Sequence, residues 1–173
     1  VAVIGDTIVG IENSDGNTNV RFHQKDTLNR FFEKLEQRGL AVNRFRADCG
    51  SCSEDIVSEV EKHCKSFYIR ANRCSSLYDD IFALRGWSKE AINGIDFELN
   101  SILVEKWKGK AYRLVIQRQK RLDGDLDLWE GQYTYRCILT NDYTSSARDV
   151  VEFYNLRGGK ERIFDDMNNG FGW

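Results

Sequence analysis

The hydrophobic positions of this chain change their spacing several times, which predicts alternating strands and helices. Residues 1–12 contain two short apolar runs around a Gly-Asp-Thr turn, and we expect them to form a β-hairpin. From Asp26 the apolar residues recur every three or four positions, which predicts a helix with Asp26 as its N-cap and Gly39 as its C-cap. The apolar stripe of this helix consists of Leu28, Phe31, Phe32 and Leu35.

A strand, a helix and a second strand follow within about thirty residues, the length of one βαβ unit. We expect the strands at residues 43–48 and 66–71 and the helix at about 54–64. A crossover of this kind joins parallel strands. Asp48 should therefore lie at the carboxyl end of a parallel strand, where open α/β sheets bind their ligands.

Residues 74–142 have a β-rich pattern instead. Alternation over residues 97–122 around a Lys-Gly-Lys turn predicts a hairpin, and residues 133–139 predict a further strand. Helical spacing returns near 145 and continues, with a glycine interruption, to about 167. The pattern as a whole predicts an α/β protein with a β-rich insertion.

Composition narrows the class of protein. The chain has 173 residues, 41% of them hydrophobic and 30% charged, which is typical of a globular protein and excludes a disordered chain. No apolar run reaches the roughly 18 residues of a membrane span. The net charge of −2 does not by itself indicate a nucleic-acid-binding protein. The five cysteines favour free thiols in a reducing compartment over a disulfide framework.

The strand end at Asp48 is the first candidate for chemistry. The segment Arg46-Ala47-Asp48-Cys49-Gly50 places a carboxylate after a predicted strand and a glycine two residues later. This arrangement leaves room for a metal ion beside the carboxylate. The same residues also suit an aspartate that only starts the turn before the next helix.

The second candidate lies on the last predicted helix. At about 100° per residue, Tyr154, Arg157 and Glu161 share one face with the apolar residues that should dock this helix on the sheet. An inward glutamate needs a metal ion, an arginine or a proton, and Arg157 lies one turn earlier. A metal site and an internal Arg157–Glu161 ion pair therefore both fit the pattern.

Together these segments resemble the DDE transposases of bacterial insertion sequences, specifically the cut-and-paste group with a ribonuclease-H-like catalytic core. That group carries a Tyr-x2-Arg-x3-Glu helix motif, which Tyr154, Arg157 and Glu161 match. It also carries an Arg-x-Asp-x-Gly-like strand end, which the segment around Asp48 matches. A β-rich insertion separates that aspartate from the glutamate, so the resemblance implies a ribonuclease-H-like α/β core split by the insertion.

The resemblance also implies the roles of individual residues. Asp48 and Glu161 would be the catalytic residues and the ligands of Mg²⁺ or Mn²⁺, with two ions in the full-length protein. Tyr154, Arg157 and Lys160 would bind DNA, which comprises the transposon ends and the target. The implied function is metal-dependent phosphodiester hydrolysis and strand transfer, by a transposase that forms a homodimer on DNA. Such a protein would be cytoplasmic, nucleoid-associated and without membrane contact.

The implied organisation is a single catalytic domain over residues 1–173. Residues 1–73 and 143–173 would form the ribonuclease-H-like core, and residues 74–142 would form the insertion. The chain begins inside a strand-like run and stops just after a helical pattern. We therefore expect a fragment of a longer protein.

Two positions depart from the family pattern. The family motif continues with a lysine seven residues after the glutamate, where this chain has Asn168. The first aspartate of the catalytic triad belongs on the first core strand, whereas Asp6 lies at a hairpin turn. We therefore expect the first catalytic aspartate upstream of Val1, and an isolated chain with little or no activity.

Two other function classes and a zinc site remain as alternatives. A non-catalytic nucleic-acid-binding module would keep the fold without the triad, and a stand-alone nuclease would lack strand transfer. A zinc site would use the Cys49-x-x-Cys52 pair together with His63, Cys64 and Cys74. Against zinc, Cys64 is expected on the apolar face of a helix, where cysteine is a small hydrophobic residue.

The predicted hairpin carries seven cations in the sixteen positions from 106 to 121. One interpretation is a solvated hairpin whose charge is balanced by nearby acidic residues. The other is a face that follows DNA phosphates, with Trp107 or Trp129 stacked on an unpaired base.

Overall fold

The computed structural model describes residues 2–5, 7–11, 23–71, 75–121, 131–156 and 158. These residues form both helices and strands, which confirms the predicted α/β class. In chain order the elements are β1 (Ala2–Ile4), β2 (Thr7–Gly10), α1 (Gln24–Glu36), β3 (Val42–Ala47), a 3₁₀ turn (Cys49–Ser51), α2 (Glu54–His63), β4 (Cys64–Arg70), α3 (Ser75–Ala83), β5 (Ser88–Ile92), β6 (Ile95–Lys106), β7 (Lys110–Lys120), β8 (Tyr133–Thr140) and α4 (Ala147–Asn155).

The predicted N-terminal hairpin is present. β1 and β2 pair antiparallel, with Ile4 opposite Thr7. Gly10 ends β2 against α1, and a Cβ atom at this position would lie 2.5 Å from a ring carbon of Phe31. The absence of a side chain at Gly10 thus allows the hairpin to approach the first helix closely.

The ends of α1 differ partly from the prediction. The helix begins at Gln24 with His23 as its N-cap residue, so the prediction of Asp26 as N-cap was wrong. Asp26 lies instead in the first turn, where a carboxylate interacts favourably with the helix dipole. Gly39 takes the left-handed conformation with φ of 71°, and the N–H of Leu40 donates to the carbonyl of Leu35 at 2.9 Å. The C-cap is Gln37, so the prediction of Gly39 as C-cap was wrong by two residues, and Gly39 is the left-handed residue just beyond the helix end.

The βαβ unit is confirmed. β3 and β4 pair in parallel, with Ala47 opposite Ile69, and α2 forms the crossover between them. Cys64 begins β4 rather than ending α2, so its predicted place on a helix face was wrong. Burial of this residue raises the pKa of its thiol to about 12.

Within the described residues, six strands form one mixed sheet in the order β3-β4-β8-β7-β6-β5. The predicted hairpin is present as the antiparallel pair of β6 and β7, joined by residues 107–109. β8 pairs antiparallel with β7 on one side and with β4 on the other. The β-rich part of the chain therefore extends the sheet that contains the βαβ unit.

The two faces of the sheet are covered by different helices. On one face α1 and α2 pack on β3 and β4 in a cluster that includes Phe32, Val57, Val60, Phe67 and Ile69. On the other face α4 packs in a cluster that includes Tyr68, Val115, Ile138, Val150 and Val151. Because side chains alternate along a strand, Tyr68 and Arg70 of β4 point to the α4 face. Arg44 and Arg46 of β3 contact α4 from the same face.

Candidate active site

Asp48 lies at the carboxyl end of β3, as the sequence predicted. It follows the last strand residue directly, and its Oδ1 accepts a hydrogen bond of 3.1 Å from the N–H of Gly50. The turn role that the sequence offered as an alternative is therefore present. The residue is nevertheless exposed, so the turn holds a solvent-accessible carboxylate at the strand end.

A contact between residues 107 positions apart joins β3 to α4. Nη1 of Arg46 donates a hydrogen bond of 2.6 Å to the backbone oxygen of Phe153. The guanidinium groups of Arg44 and Arg46 lie over the Phe153 ring, 4.2 and 4.9 Å from its centroid. The ring of Tyr68 packs against Phe153 with a centroid separation of 4.7 Å. The strand that ends at Asp48 is thus held beside the C-terminal half of α4.

The start of α4 is held by a buried carboxylate. Asp142 follows β8 and is 9% exposed. Its oxygens accept bonds from the Tyr68 hydroxyl at 2.7 Å, the Ser145 hydroxyl at 2.6 Å and the Thr144 N–H at 3.0 Å. Arg113 donates to the backbone oxygens of Asp142 and Ser145 at 3.2 and 2.5 Å. These bonds fix the entry of the chain into α4.

The same bonds control the ionisation of this cluster. Burial by itself raises the pKa of the Asp142 carboxyl, but the hydrogen bonds from Ser145, Tyr68 and Thr144 lower it well below its usual range. Burial and the bond to Asp142 raise the pKa of the Tyr68 hydroxyl to about 12. Asp142 is therefore an anion in the folded protein over the whole neutral range.

Sequence reasoning missed Asp142. The segment Asp142-Tyr-Thr-Ser-Ser between a predicted strand and a predicted helix could have indicated its role. Aspartate, serine and threonine side chains often form hydrogen bonds with nearby backbone groups in such turns. The helix start itself is a capping box, in which Ser146 and Asp149 bond to each other's backbone N–H.

The helix-motif residues are only partly within the described structure. Tyr154 lies on α4, half-buried against the apolar cluster of that face. Arg157, Lys160 and Glu161 lie outside the described residues, as does the predicted continuation of the helix to about 167. The metal role of Glu161 and the alternative Arg157–Glu161 pair therefore stay predictions.

The basic hairpin makes contacts within the chain. Lys108 and Lys110 form ion pairs with carboxylates of α2, at 2.9 and 2.7 Å. Arg118 pairs with a glutamate of β6 at 2.6 Å. Trp107 is half-buried, edge-on to a tyrosine of β7, and Trp129 lies outside the described residues. These contacts favour the charge-balanced hairpin over a face that follows DNA.

The residues considered for zinc lie in different surroundings. Cys49 is exposed on the 3₁₀ turn, whereas Cys52 and Cys64 are buried. Nδ1 of His63 lies 2.7 Å from a carboxylate oxygen of α1, and Cys74 is outside the described residues. In the part of the chain that the structure describes, no three histidine, cysteine or acidic residues are arranged to hold a metal ion.

We expect Arg46→Gln to weaken the attachment of α4 to β3 and to lower the free energy of unfolding by about 2 kcal/mol, because it removes a charge-assisted hydrogen bond. Arg44→Gln is the matched control, because Arg44 meets α4 through its stacking over the Phe153 ring. It should cost about 0.5–1 kcal/mol, the range of an exposed cation–π contact. Urea unfolding of both variants measures the difference, and equal losses would contradict the special role of the Arg46 bond.

Residues 4–173 match the family described as Transposase DDE domain. The match covers both the Asp48 strand end and the segment that contains the helix motif. No curated protein matches the chain. None of the described helices is long and apolar enough to cross a membrane.

Proposed function

This chain belongs to the Transposase DDE domain family, and we propose that it performs metal-dependent DNA cleavage and strand transfer at transposon ends. Family membership makes it a transposition-related nuclease domain, in agreement with the predicted resemblance to DDE transposases. The mixed sheet with helices on both faces agrees with the ribonuclease-H-like fold that the resemblance implied. One observation carries the proposal: the Arg46–Phe153 bond holds the strand end of Asp48 beside α4, and Glu161 follows α4 in the sequence.

The donor chemistry of the proposed site suits a hard divalent cation. Asp48 presents an exposed carboxylate held by a turn, and Glu161 adds a second carboxylate in the proposal. Carboxylate oxygens together with water are the ligands that Mg²⁺ prefers in proteins. Asp48 and Glu161 would hold Mg²⁺ or Mn²⁺, with two ions in the full-length protein. When bound, the ions supply an activated water and stabilise the leaving oxygen.

The remaining motif residues have binding roles in the proposal. Arg157 holds a phosphate near the scissile bond through its two-pronged guanidinium group, and Lys160 adds a second cation. Tyr154 contacts the DNA end from α4. After cleavage, the same residues hold the 3′-hydroxyl end in position for its attack on target DNA.

The organisation is also part of the proposal. Residues 1–73 and 143–173 form the core, and residues 74–142, which contain β5 to β8, form the insertion. The transposase acts as a homodimer assembled on DNA, in the cytoplasm of a bacterium, and belongs to an insertion sequence. The isolated chain has little activity, because two carboxylates hold Mg²⁺ weakly and the first aspartate of the triad is expected elsewhere.

A plasmid assay tests this function. We expect the complete transposase to nick supercoiled DNA and to join ends to target DNA with Mg²⁺ or Mn²⁺, and to stop when EDTA is added. The 173-residue chain by itself should nick poorly under the same conditions. Robust nicking by the isolated chain would contradict the expectation that the first catalytic aspartate lies outside it. Nicking by the complete protein without strand transfer would indicate a stand-alone nuclease, and DNA binding without nicking would indicate a non-catalytic module.

A further inference from the structure

Charged residues form a row across the α4 face of the sheet, next to the proposed site. The parallel register of β3 and β4 places Asp48 beside Arg70, one step beyond the last paired residues. On the next strand Arg70 lies opposite Ile138 of β8, and Arg136 follows two positions along on the same face. Asp48 directly follows β3, and Arg70 and Arg136 lie on the next two strands of the sheet, which are spaced about 5 Å apart.

The orientation of this row follows from its neighbours. Tyr68 and Ile138 are buried in the cluster beneath α4, so the residues two positions along their strands, Arg70 and Arg136, point to the same face. Phe153 of α4 lies over Arg44, Arg46 and Tyr68. Asp48 and Arg70 lie two residues beyond Arg46 and Tyr68, so the row starts next to the residues that Phe153 covers.

The two arginines of the row differ from two arginines of β7. Arg113 and Arg118 bond to carbonyl or carboxylate oxygens of this chain. Arg70 is half-buried and Arg136 is exposed, and among the described residues neither has an ion-pair partner. A half-buried guanidinium group is costly to leave without an anion. Within the described part of the chain both side chains therefore lack an anion, and their chemistry suits an anionic ligand.

We propose that Arg70 and Arg136 bind phosphates of the DNA strand that enters the Asp48 site. This inference rests on the proposed function and adds to it a contact surface that the two sequence motifs do not contain. The forked guanidinium group of arginine matches the geometry of a phosphate group. Arg70 and Arg136 therefore place two phosphate contacts next to the Asp48 carboxylate. Since β8 belongs to the β-rich part of the chain, the DNA contact would continue from the core strands onto that part. Contacts of this kind position the DNA and do not read its sequence.

Salt-dependent DNA binding tests the inference. The measurement is the fluorescence anisotropy of a short labelled DNA duplex with the complete transposase in Ca²⁺, at several salt concentrations. Arg70→Gln and Arg136→Gln should each reduce the slope of log K against log salt by about 0.9, the value expected for one phosphate contact. The control is Lys65→Gln, which removes an exposed cation at the other end of β4 and should leave the slope unchanged.

Further variants separate binding from folding. Arg70→Lys keeps the charge and should keep the slope, even if Arg70→Gln lowers the melting temperature. Unchanged salt slopes in both glutamine variants would overturn the inference. A reduced salt slope in Arg70→Lys, with an unchanged melting temperature, would overturn it as well. In that case Mg²⁺-dependent plasmid cleavage by the same variants would still support the proposed function. If the unmodified transposase neither binds the duplex nor cleaves the plasmid, the proposed function fails as well.

Discussion

Asp48→Asn should reduce DNA cleavage by the complete transposase by at least about 10³-fold while leaving the fold intact. The asparagine side chain keeps an oxygen that accepts the Gly50 N–H, so the turn after β3 is preserved. It lacks the negative charge that holds a divalent cation, and metal stabilisation of the transition state is then lost. A loss of 10³-fold corresponds to about 4 kcal/mol of activation free energy. Nicking of supercoiled plasmid at saturating Mg²⁺ measures the rate.

A matched control shows whether the loss of any exposed carboxylate lowers the cleavage rate, or only the loss of the one at Asp48. Asp96→Asn also removes one exposed carboxylate, but Asp96 lies near the start of β6, away from the proposed site. It should cleave at the rate of the unmodified protein. Thermal unfolding of both variants should be unchanged. Cleavage by Asp48→Asn at the normal rate would mean that Asp48 serves only to start the turn before α2.

Asp142→Asn should lower the free energy of unfolding by about 3 kcal/mol or more. The carboxylate of Asp142 accepts bonds from Tyr68, Thr144 and Ser145 in a buried site, and an amide in its place has one oxygen and presents its own donors to these groups. Buried donors without an acceptor are costly, and bonds to a charged group are stronger than neutral ones. Urea unfolding measures the loss. Because the site fixes the entry to α4, the cleavage rate should fall as well.

Asp149→Asn is the control at the same helix start. Asp149 belongs to the exposed capping box, so its replacement should cost about 1 kcal/mol. Equal losses in the two variants would show that Asp142 contributes only as another helix cap.

The pH dependence of stability provides a second measurement for Asp142. Its pKa in the folded protein lies below that of an aspartate in the unfolded chain. The stabilisation is therefore present above about pH 4 and is lost as the pH falls further. Unfolding of the unmodified protein should become easier through this acid range. The acid-induced loss should be smaller in Asp142→Asn, and an identical loss would show that other carboxyl groups cause it.

Local patterns in the sequence predicted most elements of this protein because hydrophobic periodicity depends only on near neighbours. The three-and-four spacing of α1 reflects one buried face, and the apolar run of β7 reflects a strand whose centre is buried on both faces. The N-cap of α1 could not be placed in this way. His23 takes a left-handed conformation there, with φ of 60°, and no local rule favours this over the acidic residue at Asp26.

The candidate site shows the same division between local and long-range information. The sequence by itself determined that Asp48 ends a parallel strand and that Tyr154 lies on a helix, because strand–helix–strand order and residue spacing are enough for both. Only the tertiary structure decided that Arg46 bonds to Phe153, that Tyr68 bonds to Asp142, and that β8 inserts between β4 and β7. The two hydrogen bonds and the pairing of β8 with β4 join segments more than 60 residues apart, where the order of strands in a sheet, and not any local preference, brings partners together.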